Sequence, residues 1–148
     1  MMVPMAEQQN FANHTQRVPL FLGLALVLLL TIIGAGVNLY RSFGDHERLY
    51  NAALILVLSL CVFVATGLAR GFALKAQDRA IRAEENLRSF VLTGKLLDPR
   101  LTIHQIIALR FASDAEFLAL AKKAADESMT PVAIKQAVTN WRADLYRV

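Results

Sequence analysis

No charged residue occurs in the 23 positions from Val18 to Tyr40 or in the 21 from Leu49 to Ala69, and only the polar link Arg41-Ser-Phe-Gly-Asp-His-Glu-Arg48 parts them. A bilayer-spanning helix needs about 20 apolar residues in a row, so each run predicts a transmembrane helix. So short a link predicts an antiparallel hairpin around Gly44. Pro19 falls in the first turn of the first helix, where its missing N–H costs nothing. The apolar pattern does not stop at Ala69. Ala73, Ala76, Ala80, Ala83, Leu87 and Phe90 follow at spacings of 3, 4, 3, 4 and 3, a helical seam. Around it the helix is charged, with Asp78 and Arg82, and Glu84 and Arg88, at the favourable i,i+4 spacing. Asp78, Glu84 and Glu85 accordingly read as surface partners of neighbouring cations. Gly94 suits the left-handed position that ends a helix. The second helix is therefore expected over residues 50–93, roughly 65 Å at 1.5 Å per residue, with its last part projecting into the cytoplasm.

Beyond the Leu97-Asp98-Pro99 break, three short amphipathic helices are marked by caps: Thr102-x-x-Gln105, Ser113-x-x-Glu116 and Thr130-Pro131. Their apolar faces are Ile103, Ile106, Ile107 and Phe111; Phe117, Leu118, Ala121, Ala124 and Ala125; and Ile134, Ala137, Val138 and Trp141. They can bury one another, but so small a core is expected to dock on the projecting helix or on a partner. The domain organisation that follows is an N-terminal arm (1–17), two spans (18–40 and 50–93, the second with its extension), an outer loop (41–49) and a helical tail (94–148). The fold class is an all-α membrane protein.

Charge sets the expected orientation. Of the 16 Lys and Arg, one precedes the first run, two lie in the loop and thirteen follow the second run. By the positive-inside bias both termini are cytoplasmic. Among the basic residues nearest the second span, Arg70, Lys75, Arg79 and Arg82 are candidates for contact with anionic lipid headgroups. The first run could also be read as a cleaved signal, with Gly34-Ala35-Gly36 as small residues, but it is too long for that. Cys61 sits mid-span and behaves as a small hydrophobe. At 148 residues, with 55% hydrophobic side chains and much of the chain committed to lipid, no large catalytic domain fits.

Chemistry-bearing constellations are sparse. His14, His46 and His104 lie outside both spans, which disfavours haem or pigment ligation there, and none has a neighbour of metal-ligand spacing. No cofactor or metal is expected. The spans hold no ionisable residue for a conducting path; Asn38, Ser59 and Thr66 are expected to hydrogen-bond across helices or sit at the interface. Gly67-x-x-x-Gly71 permits close helix approach. Nucleic-acid binding is not expected, because from Lys95 onward eight basic residues meet six acidic ones. Trp141 closes the last apolar stripe, as an anchor against Phe111 and Phe117 or as a hot spot for a partner.

Several strings carry a resemblance: Gln9-Asn10-x-x-Asn13-His14, Phe90-x-Leu92-Thr93-Gly94-Lys95, Ala108-Leu109-Arg110-Phe111-Ala112-Ser113-Asp114-x-Glu116, Ile134-Lys135, Asn140-Trp141-x-x-Asp144 and Arg147-Val148. Through them the chain resembles an uncharacterised family of small bacterial two-span membrane proteins with a helical tail, a domain of unknown function. The resemblance implies topology and bacterial origin, and brings no activity.

The function expected is a non-enzymatic accessory or structural subunit of a larger complex in the bacterial inner membrane. Respiratory and photosynthetic assemblies offer the analogy. Its partners would be lipids and a larger membrane complex, with no small-molecule substrate. The alternative is a self-associating scaffold or sensor built on the alanine seam. Interface candidates are Ala73, Ala76, Ala80, Ala83, Leu87, Phe90, Gly67, Gly71 and Trp141.

Overall fold

The computed structural model describes residues 9–13 and 18–144. Most of the N-terminal arm, including His14, and the terminal Arg147-Val148 lie outside the described residues. Among the described residues there are five helices and no strand: α1 (Pro19–Arg41), α2 (His46–Thr93), α3 (Ile103–Leu109), α4 (Asp114–Asp126) and α5 (Pro131–Ala137). Two compact units form. One holds the described residues of 17–74, the other those of 75–148 and of the N-terminal segment, with the division inside α2.

In the first unit, α1 and α2 are both long and apolar enough to cross a membrane, and only 6% and 11% of their apolar windows are buried. They are not core helices of this chain. Their leucines and valines, such as Leu20, Leu30, Val57 and Leu58, face outward. The link is tighter than expected, because Asp45 starts α2 at His46 instead of Tyr50: its carboxylate accepts the Arg48 N–H at 3.2 Å and its carbonyl accepts that of Leu49 at 2.9 Å. Arg70 stacks 5.4 Å above the Phe21 ring, so the chain doubles back. Within the parts of the two helices that belong to this unit, Ala35, Ala52 and Ser59 are the buried positions. The hydroxyls of Ser59 and Thr66, expected to hydrogen-bond across helices or to sit at the interface, each donate within α2 to the carbonyl four residues back, of Ile55 at 2.7 Å and Val62 at 2.8 Å.

In the second unit, Gly94 at φ 73° ends α2. The chain then folds back on the helix it has left: Ser89 Oγ donates to the Lys95 carbonyl at 2.9 Å, and Asn86 Oδ1 accepts the Leu97 N–H at 3.2 Å. Thr102 and Gln105 form a reciprocal capping box on α3. The Gln105 amide also donates to the Met129 carbonyl at 2.8 Å, tying α3 to the α4–α5 link. Leu109, Phe111, Phe117 and Ile134 are fully buried and form the centre of this second unit, the head. The last helix stops earlier than its apolar stripe predicts. Val138 turns extended at ψ 121°, so Trp141 lies on an extended segment bridged to Ala112.

Ser128 follows the end of α4 at φ 49°, a left-handed conformation that L side chains adopt at a cost, with the Met129 N–H returning to the Ala124 carbonyl at 3.1 Å. Ser128→Gly is expected to stabilise the tail by about 0.5 to 1 kcal/mol, because glycine occupies this region freely. Urea unfolding of the full chain in detergent, followed by Trp141 fluorescence, reads the change.

Candidate functional site

Ile81, Glu85 and Ser89 recur every four residues along one side of α2, and this side is buried under the tail. Arg88 stands at its edge with a side chain only 10% accessible. Every nitrogen of its guanidinium is engaged. Nη1 meets Glu85 Oε2 at 3.0 Å, Nε meets Asp114 Oδ1 at 2.6 Å, and Nη2 donates to the Ala112 carbonyl at 2.8 Å. Its flat face lies 4.2 Å from the centre of the Phe117 ring. One side chain thus joins α2 to the first turn of α4, where a carboxylate also suits the helix dipole.

Glu85 is 4% exposed and has a second cation, Arg142 Nη1, at 3.7 Å. Its assignment as a surface carboxylate is therefore corrected. The i,i+4 pairing expected of Glu84 with Arg88 gives way to the i,i+3 pairing of Glu85, because docking of α4 turns the guanidinium toward the buried side.

A second cluster closes the C-terminal segment. The Glu116 carboxylate accepts Thr139 Oγ1 at 2.6 Å and the N–H groups of Thr139 at 3.0 Å, Asn140 at 3.1 Å and Ser113 at 3.3 Å. By capturing the N–H groups of Thr139 and Asn140 it helps turn the chain out of helix after α5. The Arg142 N–H then donates to the Phe111 carbonyl at 2.7 Å. Partial burial pushes the Glu116 carboxyl upward, but the donors from Thr139, Asn140 and Ser113 outweigh it and hold its pKa below the usual glutamate value.

Beside these clusters lies a cleft of about 370 Å³ lined by Gln77, Ala80, Ile81, Glu84, Glu85, Arg110, Arg142, Ala143 and Asp144. Arg110, 6% exposed, reaches Asp144 Oδ2 at 3.1 Å and stacks 4.7 Å over the Phe111 ring. The Asp144 N–H donates to Gln9 Oε1 at 2.8 Å, drawing the N-terminal segment to the far end of the chain. Glu85, Glu116 and Asp144 face guanidinium groups or backbone N–H groups, an arrangement suited to holding segments together. Among the described residues no group of three or more His, Cys, Asp or Glu is placed to hold a metal ion.

The residues singled out in the sequence sit elsewhere. Ala76, Ala80, Ala83, Leu87 and Phe90 are exposed and Ala73 half-buried; the tail does not pack on this seam. A Cβ added at Gly67 or Gly71 would meet nothing within 4 Å, so neither makes a close helix contact within the chain. Lys75, Arg79 and Arg82 are exposed, and Arg70 is the half-buried residue over Phe21. Trp141 packs on Phe111 with ring centroids 4.9 Å apart, while Phe117 is covered by Arg88. His46 and His104 are exposed.

A family model matches residues 5–148, nearly the whole chain. The chain belongs to DUF6526, a family of unknown function. Neither a curated protein nor a solved structure matches it. In this member of DUF6526, the strings that carried the resemblance supply much of the polar network: Gln9, Arg110, Asp114, Glu116, Asn140 and Asp144. Glu85 and Arg88 lie outside those strings. The signal for them was the Ile81, Glu85, Ser89 stripe, with one apolar member among polar ones.

Arg88→Ala is expected to cost about 3 to 5 kcal/mol, since it strands the buried Glu85 carboxylate. Arg88→Lys should recover only part, because an ammonium cannot fork between two acids and a carbonyl. Denaturant unfolding of both variants in detergent measures this, and a loss under about 0.5 kcal/mol for Arg88→Ala would remove Arg88 from the centre of the fold.

Because the folded-state pKa of Glu116 is lowered, its stabilisation is fully present above the unfolded value of about 4.3 and is lost as pH falls through the folded value. Tail stability should drop as the solution is acidified below about pH 5. Glu116→Gln should be less stable at neutral pH and show a shallower acid slope, read by Trp141 fluorescence across a pH series.

Proposed function

We propose that this chain is a two-pass protein of the bacterial inner membrane with both termini cytoplasmic, acting as a non-enzymatic accessory or structural subunit of a larger membrane complex. The outward apolar side chains of α1 and of the first half of α2 are best satisfied by lipid. The observation that carries the subunit reading is an apolar patch on the head. Val91 and Leu96 are 75% and 67% exposed, and Leu87, Val91 and Leu92 line a shallow groove of about 310 Å³ beside Arg88. Side chains of this kind, on a segment too charged to enter lipid, mark a protein interface. The polar clusters serve to hold that surface in one shape. The alternative, a self-associating scaffold or sensor, draws on a different observation: the seam from Ala76 to Phe90 is left bare by the tail.

On a Cys61→Ala background, Lys122→Cys should be labelled only from the cytoplasmic side and Phe43→Cys only from outside; the reverse pattern overturns the topology. Gentle extraction followed by native mass measurement should find the chain with foreign subunits in fixed ratio. Leu92→Asp with Leu96→Asp should release them while leaving the helical content unchanged. Retention of the same subunits by that double variant would move the interface elsewhere.

A further inference from the structure

The side chains that hold the tail, Ile81, Glu85, Arg88 and Ser89, lie on one side of α2. Ala76, Ala80, Ala83, Leu87 and Phe90 lie on the other, roughly 150° round at 100° per residue. The first set is buried or half-buried and the second exposed, with Leu87 at 62% and Phe90 at 53%. The tail thus occupies the back of the helix; Ala80 and Glu84 reach the rim of the cleft beside it, and the heptad seam stays exposed. In heptad terms Ala80 and Leu87 take the a position, and Ala76, Ala83 and Phe90 the d position.

The flanks of the seam identify its occupant. Arg79 falls at g and Glu84 at e, five residues apart; both are exposed, and neither forms an ion pair within the described residues. In a parallel pair, g of one helix faces e of the following heptad on the other. Arg79 would then meet the partner's Glu84, and two-fold symmetry would repeat the pair on the opposite flank. Two copies anchored by the same hairpin hold α2 in the same direction, which is the orientation this pairing requires.

We infer that the face of α2 from Ala76 to Phe90 docks a second copy of this chain as a parallel two-stranded coiled coil, locked by reciprocal Arg79–Glu84 ion pairs. The inference rests on the membrane-anchored reading above. It adds a partner for the heptad face that the tail leaves exposed; it shares Leu87 with the apolar groove described above but not Leu92 or Leu96, the residues changed to test that groove. The alanines let the helices approach closely at the membrane end, and Leu87 and Phe90 fill the wider end with apolar volume.

The test uses the full chain in native membranes on a Cys61→Ala background. With Ala83→Cys, mild oxidation should give a disulfide-linked species of twice 16.4 kDa. Arg82→Cys, one position round the helix and off the seam, should not. Arg79→Glu sets carboxylate against carboxylate and should cut the Ala83→Cys cross-link roughly fivefold, as should Glu84→Arg; combining the two restores the pair and the yield. Equal cross-linking at positions 82 and 83, or no recovery in the double variant, overturns the coiled coil. Absence of the cross-link in a chain that still binds foreign subunits through Leu92 and Leu96 leaves the accessory reading standing and removes the second copy. A cross-linked chain that fails to partition into the membrane fraction removes the anchor reading instead.

Discussion

The C-terminal half of α2 and the tail meet at one buried guanidinium. Arg88 is held by Glu85 within its own helix and by Asp114 and the Ala112 carbonyl across the junction, with Phe117 beneath its plane. A buried cation whose partners are missing costs several kcal/mol, so the head closes where both acids and the carbonyl reach it together. That requirement places the start of α4 against α2 and decides which face of α2 is covered. The bare heptad seam on the opposite side is a consequence of the same contact.

The rest of the head is a small core closed by polar stitches. Leu109, Phe111, Phe117 and Ile134 supply the apolar centre. A unit of this size buries little surface and gains from every added constraint. Glu116 provides one by binding the backbone of the C-terminal segment, and Arg110 with Asp144 and Gln9 provides another. The polar residues of the strings that carry the resemblance are in large part these stitches, so what they specify is a shape. A well-determined shape carrying exposed apolar side chains, at the end of a long helix, is the physical basis for proposing the chain as an interaction module.

Local rules made the helices legible. Charge-free runs longer than 20 residues, the caps at Thr102, Ser113 and Thr130, and Gly94 after α2 each act within a few residues, so they can be read without a fold. The seam spacing likewise fits the register of α2, where Ala76 to Phe90 share one exposed face.

What the chain alone could not reveal was which face of α2 the tail would take. An apolar stripe argued for the seam, yet the tail settled on the side of Ile81, Glu85 and Ser89, because two long-range ion pairs and a stacked ring are available only there. For the same reason Glu85 looked solvated in the sequence and is buried in the fold, and Trp141, in phase with a helix, lies on an extended segment bridged to Ala112. Spacing along one helix reports only neighbours three and four residues away. Arg88 and Asp114 are 26 residues apart and Gln9 and Asp144 are 135 apart, so their pairing was decided only when the packed core brought them together.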